Sequence, residues 1–203
     1  MAKRQPSKNI QQLVILGLLA AIMLLLSTTS LGYINIGPLA ITLNVIPLGI
    51  AAVSAGPVGG AVIGAVFGLT SFLQCIGIGG SSAMGVMTFA ISPVLTFIQR
   101  FVPRLLVGLI IGFLHNFLAK KMGKKTACFI TGFLAAFLNT LLFMSALVLL
   151  FGKTDYMQEL IAGKNIIVFI CTFVGINAVF EMIASSLVTG AVGSALYRAK
   201  AIK

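Results

Sequence analysis

The sequence predicts an all-α integral membrane protein, a bundle of six transmembrane helices with both termini in the cytoplasm. Three observations predict it. Of the 203 residues, 59% are hydrophobic and only 8% are charged, whereas a soluble domain carries about 25% charged residues. Such a chain cannot cover itself in polar surface, so lipid must be its solvent. Apolar stretches long enough to cross a bilayer recur along the chain. Most of the basic residues fall in three clusters flanking those stretches: Lys3, Arg4 and Lys8; Lys120, Lys121, Lys124 and Lys125; Arg198, Lys200 and Lys203. The net charge of +11 could suggest nucleic acid. Its placement beside apolar spans instead follows the positive-inside pattern and argues for no nucleic-acid partner.

A spanning helix needs about 20 mostly apolar residues. The first span is expected at 10–31, after a basic start; no cleavable signal peptide is evident there. A short outer loop, GYINIGP, leads to a second span at 39–55, and Gly56-Pro57 turns the chain into a third at 58–77. Residues 78–92 are glycine- and serine-rich, and segment 78–99 reads equally as a loop, a re-entrant segment or part of the fourth helix. That helix is expected at 101–119, ending in the basic hairpin KKMGKK; Pro103 is expected to shape its start. The fifth and sixth spans fall at 127–151 and 166–194. The whole chain, 1–203, then forms one membrane domain. An even number of crossings puts the three basic clusters on one side, the cytoplasm, and Asp155 and Glu159 outside.

Gly60, Gly64 and Gly68 recur at every fourth position of the third span, which strips one helix face and suits close helix packing. Gly17 with Ala21, and Gly108 with Gly112, are similar pairs. Polar and charged groups inside a bilayer are costly and mark candidate sites. Arg100 and Arg104 share a face near the outer end of the fourth span, where they break the positive-inside trend. An arginine's planar fork of donors suits a carboxylate or phosphate; snorkelling toward headgroups is the competing reading, weaker for the deeper Arg104. Glu181 is the acid within the sixth span, one turn after Asn177. It can pair with an arginine, take a proton or receive a ligand hydroxyl. Asn44 and Asn139 are further amides within spans, Gln74 and Gln99 lie near outer ends, and Tyr33 and Asn35 lie in the first outer loop. Convergence of these groups would make a pocket for a small, polar, anionic ligand. His115, beside Asn116, reads as structural.

Other chemistry is excluded by what the chain lacks. Gly152-Lys153-Thr154 imitates the tail of a Walker A loop, but Leu147 stands where its first glycine must be. With one histidine and three acids, no nucleophile–base–acid set is readable, so an enzyme is not expected. Cys75, Cys128 and Cys171 are isolated in or beside apolar runs, which suits packing rather than a metal site. No cofactor is expected.

The run GYINIGPLAITLNVIPLGIAAVSAGPVGGAVIGAVFGLTSFLQCIG, residues 32–78, resembles the substrate-binding S components of energy-coupling factor (ECF) vitamin transporters. So does ISPVLTFIQRFVPRLLVGLIIGFL, residues 91–114. The resemblance is greatest to pantothenate-type members. It implies a six-helix bundle in the bacterial inner membrane that captures a vitamin from outside. It also implies docking on an ECF transmembrane coupling subunit that carries two cytosolic ATPases. Small residues of the first helix form the docking face in that family, and Gly17-xxx-Ala21 matches that pattern. Folate and riboflavin are the alternative vitamins, and a solitary ion-coupled permease, with Glu181 carrying the proton, is the rival transport mechanism. A ligand-free membrane scaffold is a further rival, in which the buried polar groups pair only with each other.

Overall fold

The computed structural model describes residues 8–29, 32–35, 40–80, 82–161 and 166–202. In order these form α1 (Lys8–Thr28), β1 (Tyr33–Asn35), β2 (Ala40–Thr42), α2 (Val45–Leu73), a 3-10 turn at Gln74–Ile76, α3 (Ala83–Ile91), α4 (Pro93–Met122), α5 (Lys124–Phe151), α6 (Asp155–Ile161) and α7 (Ile166–Arg198). Among the described residues, five helical stretches are long and apolar enough to cross a membrane. Their outward faces are apolar: Leu149 is 83% exposed, and Leu13 and Val58 are each 71% exposed. Lipid covers such a surface; water would not tolerate it.

Several boundaries depart from the sequence reading. The outer loop is an antiparallel hairpin, with Tyr33 opposite Thr42 and Asn35 opposite Ala40. The fold is therefore helical with one short two-stranded ribbon. The second span begins at Val45, not 39, because the hairpin occupies the intervening residues. Segment 78–99 resolves into α3 and the first turns of α4. The fourth helix starts at Pro93, not near Phe101: Ser92 is its N-cap, its hydroxyl accepting from the Leu95 amide at 3.4 Å, and Pro93 fills the first turn, where a missing N–H costs nothing.

The expected second and third spans are two arms of α2 that meet at Gly56, at φ +63° and ψ −150°, a conformation that essentially only glycine adopts. In the first arm Gly49 meets Thr189 and Val53 meets Gly193, so it runs parallel to α7. In the second, Gly60, Gly64 and Gly68 meet Gly108, Arg104 and Phe101, so it runs antiparallel to α4. Helices α4 and α7 share a direction, since each is antiparallel to α5. His115 faces Thr131 across the Gly123 turn, and Gly132 faces Ser185. The two arms of α2 therefore lie side by side and reversed.

This arrangement gives the bundle two distinct ends. At one end, Gln12 of α1 donates to the Ser54 carbonyl at 3.4 Å, Asn116 lies beside Gly56, and α7 finishes against α4. Thr131 spends its proton on the Ala127 carbonyl at 2.7 Å, so it can only accept from His115 Nδ1–H at 2.8 Å. In a neutral imidazole Nε2 is then an acceptor, and the Tyr197 hydroxyl donates to it at 3.0 Å. His115 thus binds α4, α5 and α7 together, as a structural histidine. At the opposite end the Ser27 hydroxyl donates to Thr70 at 3.1 Å, and the hairpin, α3 and α6 gather there.

Candidate functional site

The site is built around α4, and Pro103 explains its geometry. The expectation that Pro103 shapes the helix start is corrected: it lies inside α4. A proline there has no N–H for the carbonyl four residues earlier, which belongs to Gln99. The Arg104 guanidinium takes the vacancy, its Nη1 donating to the Gln99 carbonyl at 3.2 Å. The cation is only 5% exposed and lies over the Phe143 ring of α5 at 4.1 Å and the Phe67 ring of α2 at 5.4 Å. A desolvated cation–π contact is worth about 2 kcal/mol or more.

Arg100 also lies over the Phe143 ring, at 5.2 Å, but its hydrogen bonds go elsewhere. Its Nη1 donates to Ser71 Oγ at 3.5 Å and its Nη2 to Ser82 Oγ, the N-cap of α3, at 3.4 Å. Gly85 of α3 leaves room for it: a Cβ there would lie 3.1 Å from Arg100 Nη2. Arg100 therefore ties α3 to α2 and α4, and headgroup snorkelling is ruled out by its 6% exposure. On α6, burial raises the pKa of the Tyr156 hydroxyl while the charge of Arg100 opposes that rise.

Glu181 accepts from the Thr42 backbone amide at 2.6 Å, fastening the hairpin to α7, and its carboxylate lies within Coulombic reach of Arg104. Asn177, Glu181, Ser185 and Thr189, spaced four apart, form one buried stripe on α7. Ser185 and Thr189 escaped the sequence reading, although that spacing was there to be seen. Asn44 is the N-cap residue of α2 rather than part of a span; it is fully buried, and neither side-chain polar atom has a partner among the described residues. The Asn139 Oδ1 is likewise buried and unpartnered. Gln74 is committed elsewhere: its Nε2 donates to the Ser27 carbonyl at 2.7 Å, closing the seam between α1 and α2. Tyr33 and Asn35 lie on β1, and their side chains are outside the described residues. The structure thus brings Arg104, Gln99 and Phe143 together, links Glu181 to the hairpin, and separates Gln74 from them.

Gly60, Gly64 and Gly68 line the contact with α4. A Cβ at Gly60 would overlap the Gly108 carbonyl, and one at Gly64 would lie 2.5 Å from the Arg104 carbonyl. Gly17 and Ala21 face outward on α1, and none of the described residues stands within 4 Å of a Cβ built at Gly17.

A polar, cationic centre enclosed by apolar helices is costly to bury in a membrane protein and marks a candidate binding site. The chain belongs to the ECF transporter substrate-specific component family, whose model matches residues 11–193. It is accordingly a multi-pass membrane subunit that binds a small-molecule substrate for import in partnership with an ECF module, and not an enzyme. No curated protein matches the chain.

Proposed function

We propose that this chain captures a small anionic vitamin, pantothenate foremost, from the outer face of a bacterial inner membrane. It then passes the vitamin through a coupling subunit driven by two cytosolic ATPases. The observation that carries this reading is Arg104, a guanidinium buried on aromatic rings, with buried amide atoms on the same and neighbouring helices that have no partner among the described residues. A carboxylate is the natural complement of that fork. The ligand's neutral polar groups would meet the buried Asn44 side chain and Asn139 Oδ1, since a buried polar group left without a hydrogen bond costs about 1–3 kcal/mol.

Counting the two α2 arms as separate passages, the first of them short, gives the six crossings of this reading. The end holding Lys120, Lys121, Lys124, Lys125, Arg198 and Lys200 then faces the cytoplasm, with Asp155 and Glu159 on the other side. Lys124 stacks over the Tyr197 ring at 5.0 Å, which supports a common basic face for α4, α5 and α7.

Calorimetry of the detergent-purified protein against pantothenate, folate, riboflavin and biotin tests the ligand. One-to-one binding of pantothenate alone is expected. Preference for another of the four keeps the family and replaces the vitamin; uptake in cells lacking any ECF module would favour the ion-coupled permease.

The docking surface is tested separately. Gly17 and Ala21 face away from the bundle, so Gly17→Leu should leave folding and vitamin affinity as in wild type. Uptake by vesicles carrying the whole transporter should fall by about tenfold or more, as expected when a bulky side chain is forced into a close helix–helix contact. Undiminished uptake removes Gly17 from the docking face.

A further inference from the structure

Away from the arginines, α5 carries a ladder of phenylalanines on its outer side. Phe129, Phe133 and Phe137 stand four apart and so share one face, each between 39% and 45% exposed. The Phe133 and Phe137 rings stack, with centroids 6.4 Å apart. The ladder follows the seam between α5 and α7: the Phe129 ring occupies the space over Gly190, and Ser186 Oγ donates to the Phe129 carbonyl at 3.0 Å. Beside Phe137 the seam widens into a cavity of about 170 Å³, lined by Phe137, Thr140, Leu141, Met144 and Ser145 of α5 and Met182 of α7. Its walls are almost wholly apolar, and the half-exposed Phe137 and Leu141 open it outward, to lipid. A dry apolar cavity of about 150 Å³ is enough to hold a benzene-sized guest.

The other end of the ladder runs into cations. Lys125 lies one turn before Phe129 and Arg198 two turns after Gly190, and both are exposed. Lys124, 5.0 Å over the Tyr197 ring, shows that the start of α5 adjoins the end of α7. The chain's three acidic residues lie toward the opposite end, on α6 and at Glu181 beside the hairpin, so no carboxylate side chain neutralises this cluster. From Lys125 to Phe137 is about 18 Å at the helical rise. That is close to one leaflet of a hydrocarbon core about 30 Å thick.

We infer that the α5–α7 seam is a binding site for an anionic phospholipid of the leaflet at the basic end. Lys125 and Arg198 hold its phosphate. One acyl chain lies along Phe129 and Phe133 and ends in the cavity beside Phe137. A zwitterionic lipid fits the ladder but brings its own cation to a cluster that has no acid to receive it. The site is separate from the residues assigned to the vitamin and does not depend on which vitamin binds.

The chain has no tryptophan, so Phe133→Trp places a single fluorophore on the ladder, and Leu149→Trp places one on an 83%-exposed position at the other end of α5. Each full-length variant is reconstituted into bilayers that mix phosphatidylcholine with phosphatidylglycerol carrying brominated acyl chains, which quench an indole on contact. At Phe133→Trp, phosphatidylglycerol should be preferred by roughly tenfold, as two basic side chains at a headgroup allow. Leu149→Trp should show no preference, and adding Lys125→Gln with Arg198→Gln to Phe133→Trp should abolish it. Phe137→Trp, beside the cavity, should be quenched most by bromines near the chain end, and it replaces Phe133→Trp if that variant does not fold. Equal binding of the two lipids on the ladder leaves the seam to a protein neighbour and overturns the assignment. So does a preference that survives loss of both cations, the same preference at Leu149→Trp, or stronger quenching of Phe137→Trp by bromines near the headgroup. Displacement of the lipid by soluble glycerol 3-phosphate would show that phosphate alone is held, and overturns it as well.

Discussion

Gly60→Val is expected to yield little or no monodisperse protein. At Gly60 the second arm of α2 and α4 touch backbone to backbone, and the contact is reciprocal, since a Cβ at Gly108 would overlap the Gly60 carbonyl. Overpacking ordinarily costs roughly 1–3 kcal/mol, because neighbouring side chains rotate away. Here the neighbour is a peptide group and cannot rotate. The helices must separate, and Gly64 and Gly68 lose their contacts along with Gly60. Close van der Waals contact is a main source of helix association in lipid, where no hydrophobic force replaces it. Gly17→Val is the control, with open space around it. Size-exclusion profiles and melting curves of the two variants decide the matter; a Gly60→Val protein that melts like wild type would show that the glycine seam is dispensable.

The second large effect is expected at Arg104. Replacement by methionine should weaken pantothenate binding by about 100-fold, the upper part of the roughly 1.5–3 kcal/mol range for a hydrogen bond to a charged group. Removing the cation also withdraws a positive charge from near Glu181, so the fold itself is put at risk. Arg104→Lys separates the two effects. It keeps the charge and loses the planar fork that spans a carboxylate, and it should fold normally with affinity down about tenfold. Calorimetry on protein shown to be folded supplies the measurement. Wild-type Kd values in both variants would remove Arg104 from the ligand site.

The sequence displayed the apolar helices, the glycine seam and the arginine pair because each depends on composition or on spacing along one helix. It was less informative where two signals conflicted. Ser92-Pro93 carries a cap and a first-turn proline, but it directly follows the glycine- and serine-rich 78–92, which reads as broken and masks the helix start at Pro93. The hairpin was hidden because its strands are three residues each, too short for alternation to stand out. The separation of roles between Arg100 and Arg104 was illegible for a different reason. Their spacing puts them on one face, and both lie over Phe143, but Ser71 and Ser82 come from elsewhere in the chain, and only the packed bundle shows that Arg100 meets them.

The reversal at Gly56 has a consequence at the far end of the molecule. It uses a single residue, so the arms of α2 have no slack with which to slide past each other. The first arm carries Asn44 and follows directly from the hairpin, while the second carries Phe67 and Ser71, which meet the two arginines. From Gly56 to Val45 is about 16 Å at the helical rise. The heights of two walls of the candidate site are thus set by a joint on the opposite side of the bundle, as the rivet of a pair of tongs fixes where its tips meet. A residue added at that joint would leave every side chain of the site in place in the sequence and still shift one wall out of register with the other.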